Sequence, residues 1–395
     1  MIIPYITGKV WIIIPNIIKN IMVQRVFSLI ELIKKEKVLI IYGPRRVGKT
    51  TLLKEYLKTT ELKYKWETGD DIVTQSILGS RNLKEILAHY EGYDLIAIDE
   101  AQYVPNIGMG LKLLVDNKPG VSIVVTGSSS FNIEQQTGEP LTGRKRTITL
   151  FPFAQQELLP LMNRSELNEQ LESLLVFGAY PEIYLAKTKR EKIEGLTELV
   201  NSYLLKDVFA LSSVRGAKHF IDLLKLLAFQ IGNEVSLNEL GTQLGIDVKT
   251  VKKYLDILER SFVIKQLTPY SKNLRTEITA KGKYYFIDNG IRNGIISQFN
   301  GLKDRNDIGQ LFENFIMMER MKYISNNGLY RNSYFWRTYK GQEIDLIEEY
   351  DGSLNPYEFK WNEKAKLSNI SAWLENYKSV PVQLVNRRNY LEFLL

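Results

Sequence analysis

The chain has 395 residues, 44% of them hydrophobic and 25% charged, a globular composition with apolar material for several buried cores. It has no cysteine, which excludes disulfides, thiol catalysis and cysteine zinc sites, and its only two histidines, His89 and His219, argue against a Ser-His-Asp triad or a histidine metal cluster. Hydrolytic chemistry must rest on carboxylates, lysines, arginines and a metal, and the formal charge of +7 suits contact with nucleic acid or another acidic surface.

Residues 1–22 form an apolar extension around Val10-Trp11-Ile12-Ile13-Ile14. Pro15, Asn16 and Lys19 interrupt it, so it is too short for a membrane span. It lacks the basic start and small-residue cleavage site of a signal peptide, and a cytoplasmic protein with no membrane partner is expected.

Val38 to Tyr42 is an apolar strand that meets a loop opening at Gly43, and Gly48-Lys49-Thr50 leads into a helical pattern. This is the G-x-x-x-x-G-K-[ST] phosphate loop in its strand–loop–helix setting. Gly43, Pro44, Arg45, Arg46, Val47, Gly48, Lys49, Thr50 and Thr51 are the expected nucleotide contacts. Lys49 would reach the β- and γ-phosphates of ATP, and the Thr50 hydroxyl would take one Mg²⁺ position. Asp94 to Glu100 is a second apolar strand ending in two carboxylates, which after a phosphate loop reads as a Walker B element. Asp99 would hold Mg²⁺ beside Thr50, and Glu100 would orient and deprotonate the attacking water. Val121 to Thr126 is a third strand, with Ser128 or its neighbour Thr126 placed at the tip to sense the γ-phosphate. Arg144, in the basic cluster Gly143-Arg144-Lys145-Arg146 before a strand at Thr147–Leu150, is the candidate arginine acting on the γ-phosphate, within its own chain or on a neighbour.

The runs GPRRVGKTTLL, LIAIDEAQ, VVTGSSSF, LTGR…LFPF, FGAYPE and YLLKDV follow one another in order. As an ordered set, from about Met22 onward, they resemble the bacterial and archaeal AAA-type ATPases whose C-terminal region is a domain of unknown function. The resemblance implies nucleotide contact at Gly43 to Thr50, the Mg²⁺ and water roles of Asp99 and Glu100, and a sensor near Ser128. It also implies five parallel strands with the phosphate-loop strand central, followed by a small helical subdomain over the nucleotide.

Residues 156–212 read as that helical lid, interrupted by Gly178-Ala179-Tyr180-Pro181-Glu182. Residues 213–300 read as a winged helix. Ser236 caps one helix, Gly245 ends it and Asp247 caps the next. In the second helix Val251, Leu255 and Leu258 share the buried face, while Lys249, Lys252 and Lys253 near its start are placed for DNA or for a solvated face. Two wing strands, Phe262–Leu267 and Tyr284–Ile287, flank a basic loop over Ser271–Gly282.

Residues 301–395 form the last expected domain. A helix carrying Glu313 precedes strands with Asp345 and with Glu358-x-Lys360, whose side chains share one face. The set resembles the PD-(D/E)XK nuclease core, with Ile344 in place of its proline. That resemblance implies Mg²⁺ held by Glu313, Asp345 and Glu358, and a water positioned by Lys360. The sequence thus reads as an α/β protein with a parallel-sheet P-loop core over residues 23–155, a helical lid, a winged helix and a restriction-endonuclease-like domain. The expected function is Mg²⁺-dependent ATP hydrolysis controlling DNA engagement by the C-terminal half, with cleavage as the chemistry its nuclease-like set would allow. A nucleotide-gated protein-interaction switch with a silent nuclease-like domain is the alternative.

Overall fold

The computed structural model describes residues 11–12, 23–128, 140–204, 217–271, 281–377 and 380–395. The chain divides into two compact units, Met1–Pro152 and Phe153–Leu395. Of the N-terminal extension, the described part is the short strand β1 (Trp11–Ile12), which pairs antiparallel with β2 (Val23–Gln24).

The first unit is built on β3 (Val38–Tyr42), β4 (Tyr64–Thr68), β5 (Leu95–Asp99), β6 (Ser122–Gly127) and β7 (Lys145–Thr149). All five are parallel, in the order β4-β5-β6-β3-β7. Every residue of β3, β5 and β6 is buried, which is why these strands are continuous apolar runs rather than alternating ones. The phosphate-loop strand stands fourth of five, one place off the centre expected for it. Parallel direction puts all five carboxyl ends at one edge of the sheet, the edge where such folds bind ligands. The phosphate loop after β3, Glu100 after β5 and Ser128 after β6 all lie there.

The second unit holds a seven-stranded sheet, β14-β13-β12-β11-β9-β10-β8. Its strands are β8 (Glu234–Val235), β9 (Ile264–Pro269), β10 (Gly282–Phe286), β11 (Asn332–Arg337), β12 (Glu343–Tyr350), β13 (Ser353–Lys360) and β14 (Gln383–Asn386). β9 pairs parallel with β11, so strands from either side of the boundary expected at residue 300 share one sheet. The Tyr270 N–H continues that seam, donating to the Phe335 carbonyl at 2.6 Å.

The helical segment expected as a separate lid also belongs to the second unit. The helix Arg164–Phe177 ends with carbonyls that have no partner inside the helix. Asn293 Nδ2 donates to the carbonyls of Leu175 and Val176 at 3.1 and 2.8 Å, and Asn289 Nδ2 to that of Leu175 at 3.3 Å. The buried Asp288 accepts the Ala179 N–H at 2.7 Å. The polar residues that follow β10 therefore tie this segment down.

The helices Leu237–Leu244 and Val248–Arg260 have the capping that their sequence suggests. Ser236 accepts the Glu239 N–H at 3.4 Å, Gly245 turns the chain at φ +66°, and Asp247 accepts the Thr250 N–H at 2.9 Å. Val251, Leu255 and Leu258 are buried, whereas Lys249, Lys252 and Lys253 are exposed. Most of the basic loop expected between β9 and β10 lies outside the described residues. Among the described residues, no helix is long and apolar enough to cross a membrane.

Candidate functional site

The loop Gly43–Gly48 leaves β3 at a point where only glycine fits. A Cβ on Gly43 would lie 2.0 Å from the Leu150 carbonyl oxygen, because the chain leaving β7 crosses directly over it. Arg46 and Gly48 take positive φ, +59° and +95°, which curls the loop into the N-terminus of the helix Lys49–Thr59. Lys49 is buried, with its ammonium folded back onto the loop and donating to the carbonyls of Gly43 and Pro44, both at 2.8 Å. Arg45 reaches outward to the Tyr103 hydroxyl at 2.6 Å.

The Walker B carboxylate meets the loop directly. Thr50 Oγ1 donates to Asp99 Oδ2 at 2.8 Å, and Thr126 Oγ1 donates to the other oxygen, Oδ1. Glu100 follows in the left-handed region at φ +50°, and its N–H donates to Thr126 Oγ1 at 3.2 Å. Gly69 makes room for this corner, since a Cβ there would lie 2.3 Å from the Glu100 carbonyl oxygen. The strand-tip pair therefore divides its work, Thr126 against Asp99 and Ser128 one step further out. Gln102 connects them, although no role was read for it in the sequence. Its Nε2 donates to the Glu100 carboxylate and, at 3.2 Å, to Ser128 Oγ. Its Oε1 is buried and has no hydrogen-bond partner among the described residues. The available signal was its place at the end of the LIAIDEAQ run.

Arg144 is placed elsewhere, and its assignment to the γ-phosphate of its own chain is corrected. It precedes β7, and its carbonyl accepts the N–H of Val38, the first residue of β3. It therefore sits at the amino edge of the sheet, a strand length of roughly 15 Å from the phosphate loop. Its guanidinium pairs there with Asp116.

The residues at the carboxyl edge fit a nucleoside triphosphate with magnesium. Backbone N–H groups at a helix N-terminus and a buried lysine suit phosphate oxygens. Thr50 and Asp99 are two adjacent hard oxygen donors, and Mg²⁺ at such sites takes its remaining ligands from phosphates and water.

In the second unit Glu313, Asp345, Glu358 and Lys360 line one cavity of about 790 Å³. Glu313 comes from the helix Ile308–Asn326, Asp345 from β12, and Glu358 and Lys360 from β13. The register between β11 and β12 shifts at Asp345, where Asp345 and Leu346 together face Phe335. Asp345 accepts the Phe359 N–H at 2.7 Å. Glu358 pairs with Lys360 at 2.7 Å and accepts the Ser368 N–H at 2.9 Å as well as its hydroxyl. Burial and the Glu313 carboxylate push the Asp345 carboxyl up to about 7, against the pull of Lys283, the Phe359 N–H and Lys360. Burial disfavours charge on Glu358 too, but the hydrogen bonds from Lys360 and Ser368 hold it below the usual glutamate range.

A buried lysine on β10, not expected from the sequence, pairs with two of the carboxylates that line this cavity. Lys283 is 1% exposed; its ammonium pairs with Glu343 and lies 3.4 Å from Glu313. Burial alone would discharge it, yet Glu313, Asp345 and Glu343 together raise it above the ordinary lysine value. Tyr285, two residues on, donates its hydroxyl to Glu313 at 2.7 Å. Among the described residues no group of three or more Asp, Glu or His side chains is arranged to hold a metal ion. The expected Mg²⁺ ligands Glu313, Asp345 and Glu358 do come together around this one cavity, and each also accepts from a lysine or another donor of the chain.

Three family models match successive segments of the chain. A family model described as an AAA domain matches residues 35–159, and models of two domains of unknown function, DUF8612 and DUF4143, match residues 168–302 and 308–391. An uncharacterized protein of Mycobacterium tuberculosis is 27% identical over 327 residues, 82% of this chain and 69% of its own. One of Methanocaldococcus jannaschii is 26% identical over 373 residues, 89% of this chain and 81% of its own. Among solved structures, a Walker-type ATPase of Pyrococcus abyssi is similar at a TM-score of 0.44 and 16% identity, covering 67% of this chain and 91% of that one. Residues 35–159 thus match an AAA domain and residues 308–391 a DUF4143 domain, the order in which the sequence motifs occur.

Proposed function

We propose that the chain is a magnesium-dependent ATPase whose nucleotide state governs DNA engagement by the second unit. The observation that carries the hydrolytic part is the meeting of Lys49, the Thr50–Asp99 hydrogen bond and Glu100 at one edge of the parallel sheet. Lys49 would exchange the carbonyls of Gly43 and Pro44 for β- and γ-phosphate oxygens. Thr50 and Asp99 would hold Mg²⁺, which supplies charge neutralisation on the phosphates. Glu100 would accept the proton of the attacking water. Lys49→Ala should lower ATP turnover by roughly 100-fold or more. Turnover equal to that of the unaltered protein would refute hydrolysis at this site.

The DNA part rests on Lys249, Lys252 and Lys253, exposed near the start of the helix Val248–Arg260, which reads as the recognition helix of a winged helix. If these lysines meet phosphates, replacing all three by glutamine should lower the salt slope of duplex binding by about 2–3. Binding that is flat with salt would instead favour the second reading, a nucleotide-gated switch for a protein partner. That reading draws on the engaged carboxylates of the 790 Å³ cavity.

A further inference from the structure

We infer that the second unit carries a ligand site at the seam between β9 and β11, built for a small organic carboxylate with an apolar body. It involves neither the phosphate loop nor the exposed lysines of the helix Val248–Arg260. Its origin lies in the sheet. β9 and β11 pair at only two positions, Tyr334 with Thr268 and Phe335 with Pro269. On the amino side of these pairs the two strands part, while β9 stays with β10 through Ile264–Leu267 and β11 stays with β12 from Asn332 onward. A cavity of about 460 Å³ occupies the opening, with Leu267 and Ser333 lining it from the two strands. Pockets for small organic ligands span roughly 300–1,000 Å³.

The helix Ile308–Asn326 supplies the apolar lining. Met317, Met321 and Ile324 recur at helical spacing, so they share one face and meet the cavity together. Methionine side chains adapt to the outline of whatever apolar body they meet. The charged part of the lining is cationic. Arg320 and Arg331 both border the cavity, and both bond the buried carboxylate of Glu348. Arg320 does so through Nε at 2.6 Å and Nη2 at 2.9 Å, and Arg331 through Nη1 at 2.6 Å. One carboxylate cannot neutralise two guanidinium groups, and no other lies within ion-pair distance of either among the described residues. Lys265 and Glu259, the remaining charged pair of the lining, answer each other at 2.7 Å. The lining therefore keeps a net positive charge. Arg331 also keeps donors for a ligand, since of its N–H groups only that of Nη1 bonds the chain among the described residues. Its side chain is 19% exposed and its guanidinium lies 4.4 Å from the centre of the Tyr350 ring, so it is a held group rather than a free surface arginine. A carboxylate suits the planar guanidinium, which can give it two parallel hydrogen bonds. The apolar body of the same molecule would lie against the methionines.

The test is isothermal titration calorimetry of the full-length chain, without nucleotide or DNA, against two probes. Decanoate is the first, and decyltrimethylammonium, with a tail of similar length and the opposite charge, is the second. Decanoate should bind at a single site, at least about tenfold tighter than the cation. Arg331→Gln should weaken decanoate by about tenfold and bring the two probes within about threefold of each other. That chain should fold, because Arg320 still pairs with Glu348, and circular dichroism checks it. Met321→Trp, which fills the apolar lining, should abolish saturable binding of decanoate. No saturable binding of decanoate by the unaltered chain, or binding no tighter than that of the cation, would overturn the inference. Decanoate binding that is unchanged in folded Arg331→Gln would overturn it as well, since the anion would then be held elsewhere on this basic chain.

Discussion

Gln102 illustrates what a single residue adds to a motif that is otherwise readable. The carboxylates Asp99 and Glu100 and the tip at Ser128 were legible because an apolar strand followed by polar residues has a defined place in a parallel sheet. The link between them was not. Glu100 takes φ +50°, and the short 3₁₀ turn Ala101–Tyr103 that follows curls Gln102 back over the site. Left-handed backbone at a non-glycine residue leaves no trace in hydropathy or spacing. The amide of Gln102 orients Glu100 through its carboxylate and Ser128 through its hydroxyl. Gln102→Ala should therefore lower kcat by about tenfold while leaving KM for ATP within a factor of about two, because it positions the base without touching the substrate. Steady-state kinetics check this, and a parallel rise in KM would show that the residue shapes the binding loop instead. Arg144 teaches the complementary lesson. A residue that precedes a strand running parallel to the phosphate-loop strand must lie at the far edge, so its charge alone was a misleading signal.

At the scale of elements, two glycines show how separate motifs interlock. The LFPF run is explained by Gly43, whose missing Cβ lets the Leu150 backbone cross the start of the phosphate loop. The FGAYPE run is explained by Asp288. Gly178 ends the helix Arg164–Phe177 at φ +73°, and a Cβ there would lie 1.8 Å from Asp288 Oδ1. Asp288 meanwhile caps the next helix through the N–H groups of Gly290 and Ile291. Gly178→Ala should destabilise the protein by about 3 kcal/mol, through the steric clash and the positive φ together. Urea unfolding followed by circular dichroism measures this, and a loss below about 0.5 kcal/mol would contradict the packing described. Caps such as Ser236, Gly245 and Asp247 were legible because their chemistry is local. The parallel pairing of β9 with β11 was not, since it joins segments about 65 residues apart and depends on which sheet edges meet.

For the molecule as a whole, five segments are expected from the sequence, and the structure groups them into two compact units. The second unit is held together by one sheet that takes strands from both the helix–turn–helix region and the C-terminal region. That sheet also brings Lys283 on β10 to Glu343 on β12, an encounter that no reading of the local E-x-K pattern could supply. The first unit collects Lys49, Thr50, Asp99 and Glu100 on a single sheet edge, as the proposed ATP hydrolysis requires. The most direct test is turnover by Glu100→Gln, measured beside equilibrium ATP binding by the same protein. Binding within about threefold of the unaltered chain together with a loss of turnover of roughly 100-fold or more is the predicted result, as expected for a lost general base. Undiminished turnover by Glu100→Gln would contradict the account.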